Sequence, residues 1–234
     1  MIYYDNLPLS KDILDSLSEL EIDYVFQPIF KADGKTIYAR EALMRPHGKN
    51  VMDLIQEYMD ADKLHILEVA TFFGACQAYI LRGYDERVSI NSFPNEVFTE
   101  EEARAFIDYF GADEDRIIIE MLEYPSFSLD KYMQKKELAK LGQNKISVDD
   151  YGTGINDMDR VNEINPHIVK IDRSLISDID KDVYKQANVK EIIDLLHVMN
   201  KVVVAEGIET KEEFDYLVSL GADLFQGYYL GRPA

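Results

Sequence analysis

The side chains able to do chemistry in this 234-residue sequence recur in one kind of place, the end of a short apolar run. Glu41, Asn91, Glu120, the pair Asp149-Asp150, Lys170, Glu206 and Gln226 all stand at such ends, and Gln27 lies in an earlier run of the same kind. Four or five carboxylates brought to one spot repel strongly unless they are protonated or bound to cations. Oxygen donors without a His or Cys cluster favour Mg²⁺, Mn²⁺ or Ca²⁺ over zinc. The four histidines, His47, His65, His167 and His197, are scattered without zinc-ligand spacing and read as surface or structural. Asp149 and Asp150 are adjacent and could serve two ions, since a strand end loses its strict alternation where the chain turns. Two ions about 3.5–4 Å apart are a standard way to activate water and steady a leaving oxygen in phosphodiester cleavage.

Each residue also has a plainer reading. Asp149-Asp150 before Gly152-Thr153-Gly154 has the composition of a turn with a helix cap. Gly-x-Gly there is a weak phosphate-loop signal, because it lacks the accompanying lysine. Lys170 could pair with Asp172, two residues along the same strand face. Glu120 and Glu123 could be solvated charges, and Asn91 a turn former before Pro94. The plain readings fail together rather than singly, because chance would not place such groups on so many successive strand ends.

The elements that must position these groups alternate. Strands are expected at Tyr24–Phe30, Thr36–Met44, Val88–Asn91, Ile117–Glu120, Ile146–Asp149, Ile168–Ile171, Val202–Ala205 and Leu224–Tyr228. Continuous apolar runs such as Ile117-Ile118-Ile119 and Val202-Val203-Val204 suit strands buried on both faces. Helix-length stretches separate most of them. Thr99 with Glu102 and Thr210 with Glu213 have capping-box spacing, and Gly83, Gly111, Gly142 and Gly221 are placed to end helices in a left-handed conformation. Asn91, Glu120 and Asp149 lie 29 residues apart (120 − 91 and 149 − 120), one strand–helix unit. The first two strands are joined only by Lys31-Ala32-Asp33-Gly34-Lys35, whose Asp-Gly is a hairpin signal, so the first strand runs antiparallel to the second. The expected fold is an α/β (β/α)8 TIM-like barrel with an antiparallel first strand. An open doubly wound sheet is the alternative, weakened by the lack of a Gly-rich fingerprint after the first strand. In the barrel, the polar strand ends meet at the mouth.

Composition narrows the partners. Apolar residues at 47% and charged residues at 29% describe a globular chain. With 25 Lys plus Arg against 44 Asp plus Glu, the formal net charge of −19 argues against a nucleic acid polymer and an anionic membrane surface as partners. No apolar run looks long enough to insert in a bilayer, and the opening lacks a signal pattern, so a cytoplasmic location is expected. The single cysteine, Cys76, permits no internal disulfide and reads as a core residue.

Taken together, Glu41-Ala42-Leu43 with Arg45, Asn91, Glu120-x-x-Glu123, Asp149-Asp150-Tyr151-Gly152-Thr153-Gly154, Val169-Lys170-Ile171-Asp172, Ala205-Glu206-Gly207-Ile208-Glu209-Thr210 and Gln226-Gly227-Tyr228 resemble the EAL domain family, in its order and over nearly the whole chain. The resemblance implies one domain over 1–234, with a helical lead-in at 1–22 and a barrel at 23–233. It implies a cyclic di-GMP phosphodiesterase that opens the cyclic dinucleotide to linear pGpG. It implies Glu41, Asn91, Glu120 and Asp149 as ligands of one Mg²⁺ or Mn²⁺, and Asp149 with Asp150 at a second. Glu206 is implied as the catalytic glutamate, acting as base or holding the second ion, with Lys170 orienting the attacking water and Gln226 supporting that network. Gln27 and Arg45 are implied as substrate contacts, Arg45 through a phosphate, with Asp172 and Glu209 as further substrate-side candidates. Glu123 is implied as the anchor of the loop Asp150–Gly154, which in the family links the ion site to a homodimer interface. The sequence departs from the family pattern at Pro46, where Trp is frequent, and at Ile155-Asn156-Asp157, where Tyr-Ser-Ser is common. The alternative from another class is a catalytically silent cyclic di-GMP receptor, which has no need of Lys170, Glu206 and every ligand together.

Overall fold

A computed structural model describes residues 9–110, 116–123, 127–154 and 156–234. Its strands are β1 (Ile22–Lys31), β2 (Ile37–Pro46), β3 (Arg87–Ser92), β4 (Ile117–Met121), β5 (Lys145–Tyr151), β6 (Ile168–Ile171), β7 (Val202–Ala205) and β8 (Leu224–Phe225). They close into a barrel in chain order, β1 antiparallel to both β2 and β8 and every other pair parallel. The helices are α1 (Lys11–Ser18), α2 (Val51–Asp60), α3 (Leu64–Leu81), α4 (Glu100–Phe110), α5 (Leu129–Leu141), α6 (Met158–Ile164), α7 (Arg173–Ile176), α8 (Val183–Val198) and α9 (Lys211–Leu220).

The reversal of β1 is local turn chemistry. Asp33 accepts from the amides of Lys35 at 2.9 Å and Thr36 at 2.7 Å and from the Thr36 hydroxyl at 2.5 Å, while Gly34 supplies a φ of +62°. Those hydrogen bonds hold the Asp33 carboxyl down at about 2.

Alternation along the strands then sorts the side chains. One face of each strand packs outward on the helices. Val189, Ile193 and Leu196 of α8, at helical spacing, meet Val169, Ile171 and Val203. The other face fills the barrel, where Ile29, Ala39, Ile118, Ile168, Val204 and Leu224 form an apolar plug. Two residues further toward the mouth from the plug position, the same inward face carries Gln27 and Glu41, Glu120, Lys170, Glu206 and Gln226. Period-2 alternation thus converts a polar strand end into a polar mouth above a dry floor.

Differences from the sequence expectation are small and have physical causes. The last strand stops at Phe225 rather than Tyr228, because Gly227 is pressed onto the backbone of Ile208, where a Cβ would lie 2.1 Å from the carbonyl oxygen. Gly142 caps α5 with an ordinary φ of −85°, and the left-handed residue is Gln143 at +49°. Gly83 and Gly221 are left-handed as expected, and Gly111 lies outside the described residues. Both capping boxes form, with Thr99 Oγ1 accepting from Glu102 N and Thr210 Oγ1 from Glu213 N, each at 3.2 Å. By length and composition α3 is apolar enough to cross a membrane, which corrects the expectation that no run is. Yet 78% of its residues are buried within the molecule, Val69, Phe72, Phe73 and Cys76 among them. Burial pushes the Cys76 thiol up, as suits a core residue.

Candidate active site

Lys170 reaches inward from β6 and is 1% exposed, with four carboxylates around its ammonium. Glu120 lies at 2.5 Å, Glu206 at 3.0 Å, Asp149 at 3.1 Å and Glu41 at 3.3 Å. The suggested pairing with Asp172 does not occur, since Asp172 turns outward to cap α7 by accepting from Ser174 N at 2.9 Å. Five of the expected residues thus converge with Lys170 as their hub. Burial and the neighbouring carboxylates push Glu120 well up, and burial raises Glu206 to about 8 even against the pull of Lys170. Lys170, although its burial alone would lower it, is pushed up by Asp149, Glu120, Glu206 and Glu41. The ring is short of positive charge.

The remaining polar groups at the mouth orient this ring. Gln226 donates to Glu41 Oε2 at 2.6 Å and weakly to Gln27 at 3.4 Å, and Gln27 donates to the Gly231 carbonyl at 3.1 Å. Asn91 donates to Glu41 Oε1 at 3.3 Å. Ser89 was not anticipated; its hydroxyl donates to Glu120 Oε2 at 2.5 Å. Its signal was its place two residues before Asn91, on the same inward face.

At Asp150 the β5 ladder shifts register between Val148 and Tyr151, and Asp150 takes a φ of +51°. That bulge is the loss of alternation anticipated for the aspartate pair, and Asp can adopt the left-handed conformation. Burial, then Asp149, raises Asp150 to about 6. Asn156 donates to the Asp149 carbonyl at 2.8 Å, and Asp157 caps α6; Ile155 lies outside the described residues. Glu123 lies against Gly154, whose Cβ, if present, would stand 1.7 Å from Glu123 Oε1.

Two cavities flank the ring. One of ≈ 640 Å³ lies over the β2–β5 half of the mouth, with Arg45, Asn91, Glu123 and Asp150 set among Met52, Ile55 and Met59. The other, of ≈ 260 Å³, lies over the β6–β1 half, with Gln27, Arg173, Glu206, Glu209, Gln226 and Tyr228. Arg45 stands on the exposed rim and donates to the Met44 carbonyl at 2.8 Å, apart from the ring. Glu209 is likewise held aside by Arg173 at 2.9 Å. Arg173 also donates to the Gly207 carbonyl and so braces the loop that follows Glu206.

The donor set suits a hard divalent cation, being oxygens from Glu41, Asn91, Glu120, Asp149 and Asp150. Gln226 Oε1 is buried without a hydrogen-bond partner, so acceptor capacity is unspent at the mouth, while Asp149 Oδ1 and Glu206 Oε2 are taken up by the Lys170 ammonium. Among the described residues no three acidic, His or Cys side chains are already gathered for a metal, because the Lys170 ammonium holds the centre. The histidines take no part: His47 pairs with Asp23, His197 with Asp223, His65 with Glu102, and His167 Nδ1 accepts from Ile146 N.

The family model described as "EAL domain" matches residues 10–233. The chain belongs to the EAL domain family. Among curated relatives this EAL domain is 28% identical to cyclic di-GMP phosphodiesterase TpdA of Vibrio parahaemolyticus, over 97% of the chain and 43% of that protein. It is 24% identical to the probable cyclic di-GMP phosphodiesterase PdeG of Escherichia coli, over 99% of the chain and 48% of that protein. The chain therefore spans less than half the length of these relatives. Among solved structures, a standalone EAL protein from Vibrio cholerae O395 in its c-di-GMP-bound form superposes with a TM-score of 0.82 at 26% identity, covering 92% of this chain and 93% of that one. Klebsiella pneumoniae BlrP1 shares the fold with a TM-score of 0.79 at 24% identity, covering 91% of this chain and 56% of that one.

Proposed function

We propose that the chain, as one EAL domain over 1–234 with its barrel at 23–233, hydrolyses cyclic di-GMP to linear pGpG in the cytoplasm with two Mg²⁺ or Mn²⁺ ions. The observation that carries the reading is the buried ring of four carboxylates about Lys170, flanked by a cavity over each half of the mouth. Two cavities either side of a cation-seeking centre suit an anionic ligand with a planar group at each end. The names of the relatives support the same substrate.

Glu41, Asn91, Glu120 and Asp149 would hold one ion, and Asp149 with Asp150 the second. When bound, the ions supply an acidified water and offset the negative charge of the phosphodiester. The chain's own groups do the rest. Glu206 takes the water proton at its carboxylate or holds the second site, and Lys170 orients the water and donates to the oxygen that gains charge at phosphorus. Water adds its hydroxyl to phosphorus, the bond to the 3′ oxygen breaks, and that oxygen leaves with a proton. Gln226 and Gln27 keep Glu41 in place, and Gln27 and Arg45 receive the substrate, Arg45 as a phosphate donor. Asp172, now capping α7, and Glu209, now held by Arg173, are the further substrate-side candidates and would reach the substrate only by leaving those partners, and Glu123 anchors the loop Asp150–Gly154 toward a homodimer interface.

The test is product analysis of cyclic di-GMP incubations in Mg²⁺, Mn²⁺ and chelator. Metal-dependent pGpG is expected, and Glu206→Ala is expected to lower turnover by about 10²–10⁴-fold while substrate binding remains measurable. Full activity in Glu206→Ala removes the catalytic assignment. Binding without product in the unaltered chain moves the protein to the receptor class.

A further inference from the structure

Outside the barrel wall, beneath α3 and α5, lies a second charged group that the chemistry above does not use. Glu68 of α3 is 1% exposed and Lys135 of α5 is 5% exposed, and they pair at 2.6 Å. The Lys135 ammonium has three protons and three acceptors: Glu68 Oε1, the Ser92 hydroxyl at 2.5 Å and the Phe93 carbonyl at 2.7 Å. Glu68 in turn accepts from the Ser92 hydroxyl at 2.7 Å and the Phe93 amide at 2.9 Å. Apart from the pairing itself, every bond of this cluster ends on Ser92 or Phe93, the two residues after Asn91.

A buried ion pair is a poor way to fasten two helices together, since well-packed apolar residues of the same volume are often as stable or more so. The surroundings are apolar, with Phe72, Phe98 and Phe106 lining a cavity against the pair. What the charges supply is direction. Ser92 points outward from β3 where Asn91 points inward, so a fixed Ser92 fixes the rotation and height of Asn91 at the mouth. Asn95 accepts from Ser128 N at 2.8 Å, and Glu96 lies 3.5 Å from His65, so the loop after β3 is tied beyond this point as well.

We propose that Glu68 and Lys135 are positioning residues that set Asn91 from outside the barrel; this rests on the reading of Asn91 as an ion ligand. Outer partners that orient a ligand commonly change ion affinity by about 10–100-fold when removed. The test replaces the pair by apolar residues of similar size, Glu68→Leu with Lys135→Met, and measures Mn²⁺ affinity by titration of free Mn²⁺ well below the melting temperature. The expected result is a cooperative melt with Mn²⁺ binding weakened about tenfold or more. Wild-type affinity in the folded double variant overturns the proposal, because the pair would then serve only as glue. Should that variant not fold, Ser92→Ala carries the test, with several-fold weaker binding expected and unchanged binding overturning it. Asn91→Ala, run alongside, separates the two possible failures. Loss there without loss in the double variant overturns positioning alone, whereas no loss there overturns the ligand role of Asn91 itself.

Discussion

Lys170→Met keeps the length of the side chain and removes its charge from the middle of the ring. The ammonium stands 2.5–3.3 Å from four carboxylates. At about 3 Å and an effective dielectric near 20, each attraction to an ionised partner is about 5 kcal/mol. Mutual repulsion and burial oppose the sum by favouring the neutral forms of Glu120 and Glu206. Protonation limits the loss further in the variant, which leaves the net effect in the range of about 3–5 kcal/mol found when one member of a buried pair is removed. For a chain of this size that is a fall of roughly 6–20 °C in melting temperature in chelator. Mn²⁺ should then restore more in the variant than it adds to the wild type, since the ammonium no longer competes with the ion for the same oxygens and stabilisation follows RT ln(1 + [L]/Kd). Thermal melts of both proteins in chelator and in Mn²⁺, with turnover alongside, make the comparison. A variant that melts within roughly 2 °C of wild type in chelator, less than 1 kcal/mol by the same scaling, would refute the view that the ring depends on Lys170 for its charge balance.

Two further predictions concern the periphery of the site. Gly207 has a φ of +80° and no room for a Cβ, which would lie 2.6 Å from Cβ of Arg173; Gly207→Ala should displace the loop after Glu206, costing about 1–3 kcal/mol in stability and at least about tenfold in kcat, and wild-type kcat in the purified variant would count against the brace. His65 is raised to about 9 by hydrogen bonds to Glu102 and Glu96, so its contribution is fully present below its unfolded value of 6.5 and is lost as pH rises through about 9. The side chain is 32% exposed, so solvent screening leaves about 1 kcal/mol. Urea melts should show wild type losing about 1 kcal/mol more than His65→Gln between about pH 6 and pH 9.5, and parallel losses would remove the ion pair from the stability of the β3–α4 connection.

The mouth of the barrel was legible because its physics is one-dimensional. An apolar run that ends in a polar residue marks a strand and its end, and closure of the sheet brings successive ends together; Glu41, Glu120, Lys170 and Gln226 needed no more than that. Lys170 was legible as a site residue but not as the hub, since nothing in Ile168-Val169-Lys170-Ile171-Asp172 distinguishes pairing along the strand from pairing across the barrel. Ser89 carried a weaker signal, its inward register two residues before Asn91, because a small hydroxyl in a strand has many plainer uses. Arg45, Asp172 and Glu209 were placed near the mouth, yet the partner each takes is set by its loop: Met44, the start of α7, and Arg173. Glu68 and Lys135 were illegible for a different reason. They lie 67 residues apart on two helices, and each alone reads as one more charge in an acidic protein. Only the folded structure shows that the two side chains meet and that both end on the two residues after Asn91. The same barrel therefore controls its mouth from two sides, through the alternation of its strands and through charges buried in its outer layer. Substitutions in that layer should reach the proposed ion site without touching it, which makes α3 and α5 the places to seek variants that alter ion affinity while the fold stays intact.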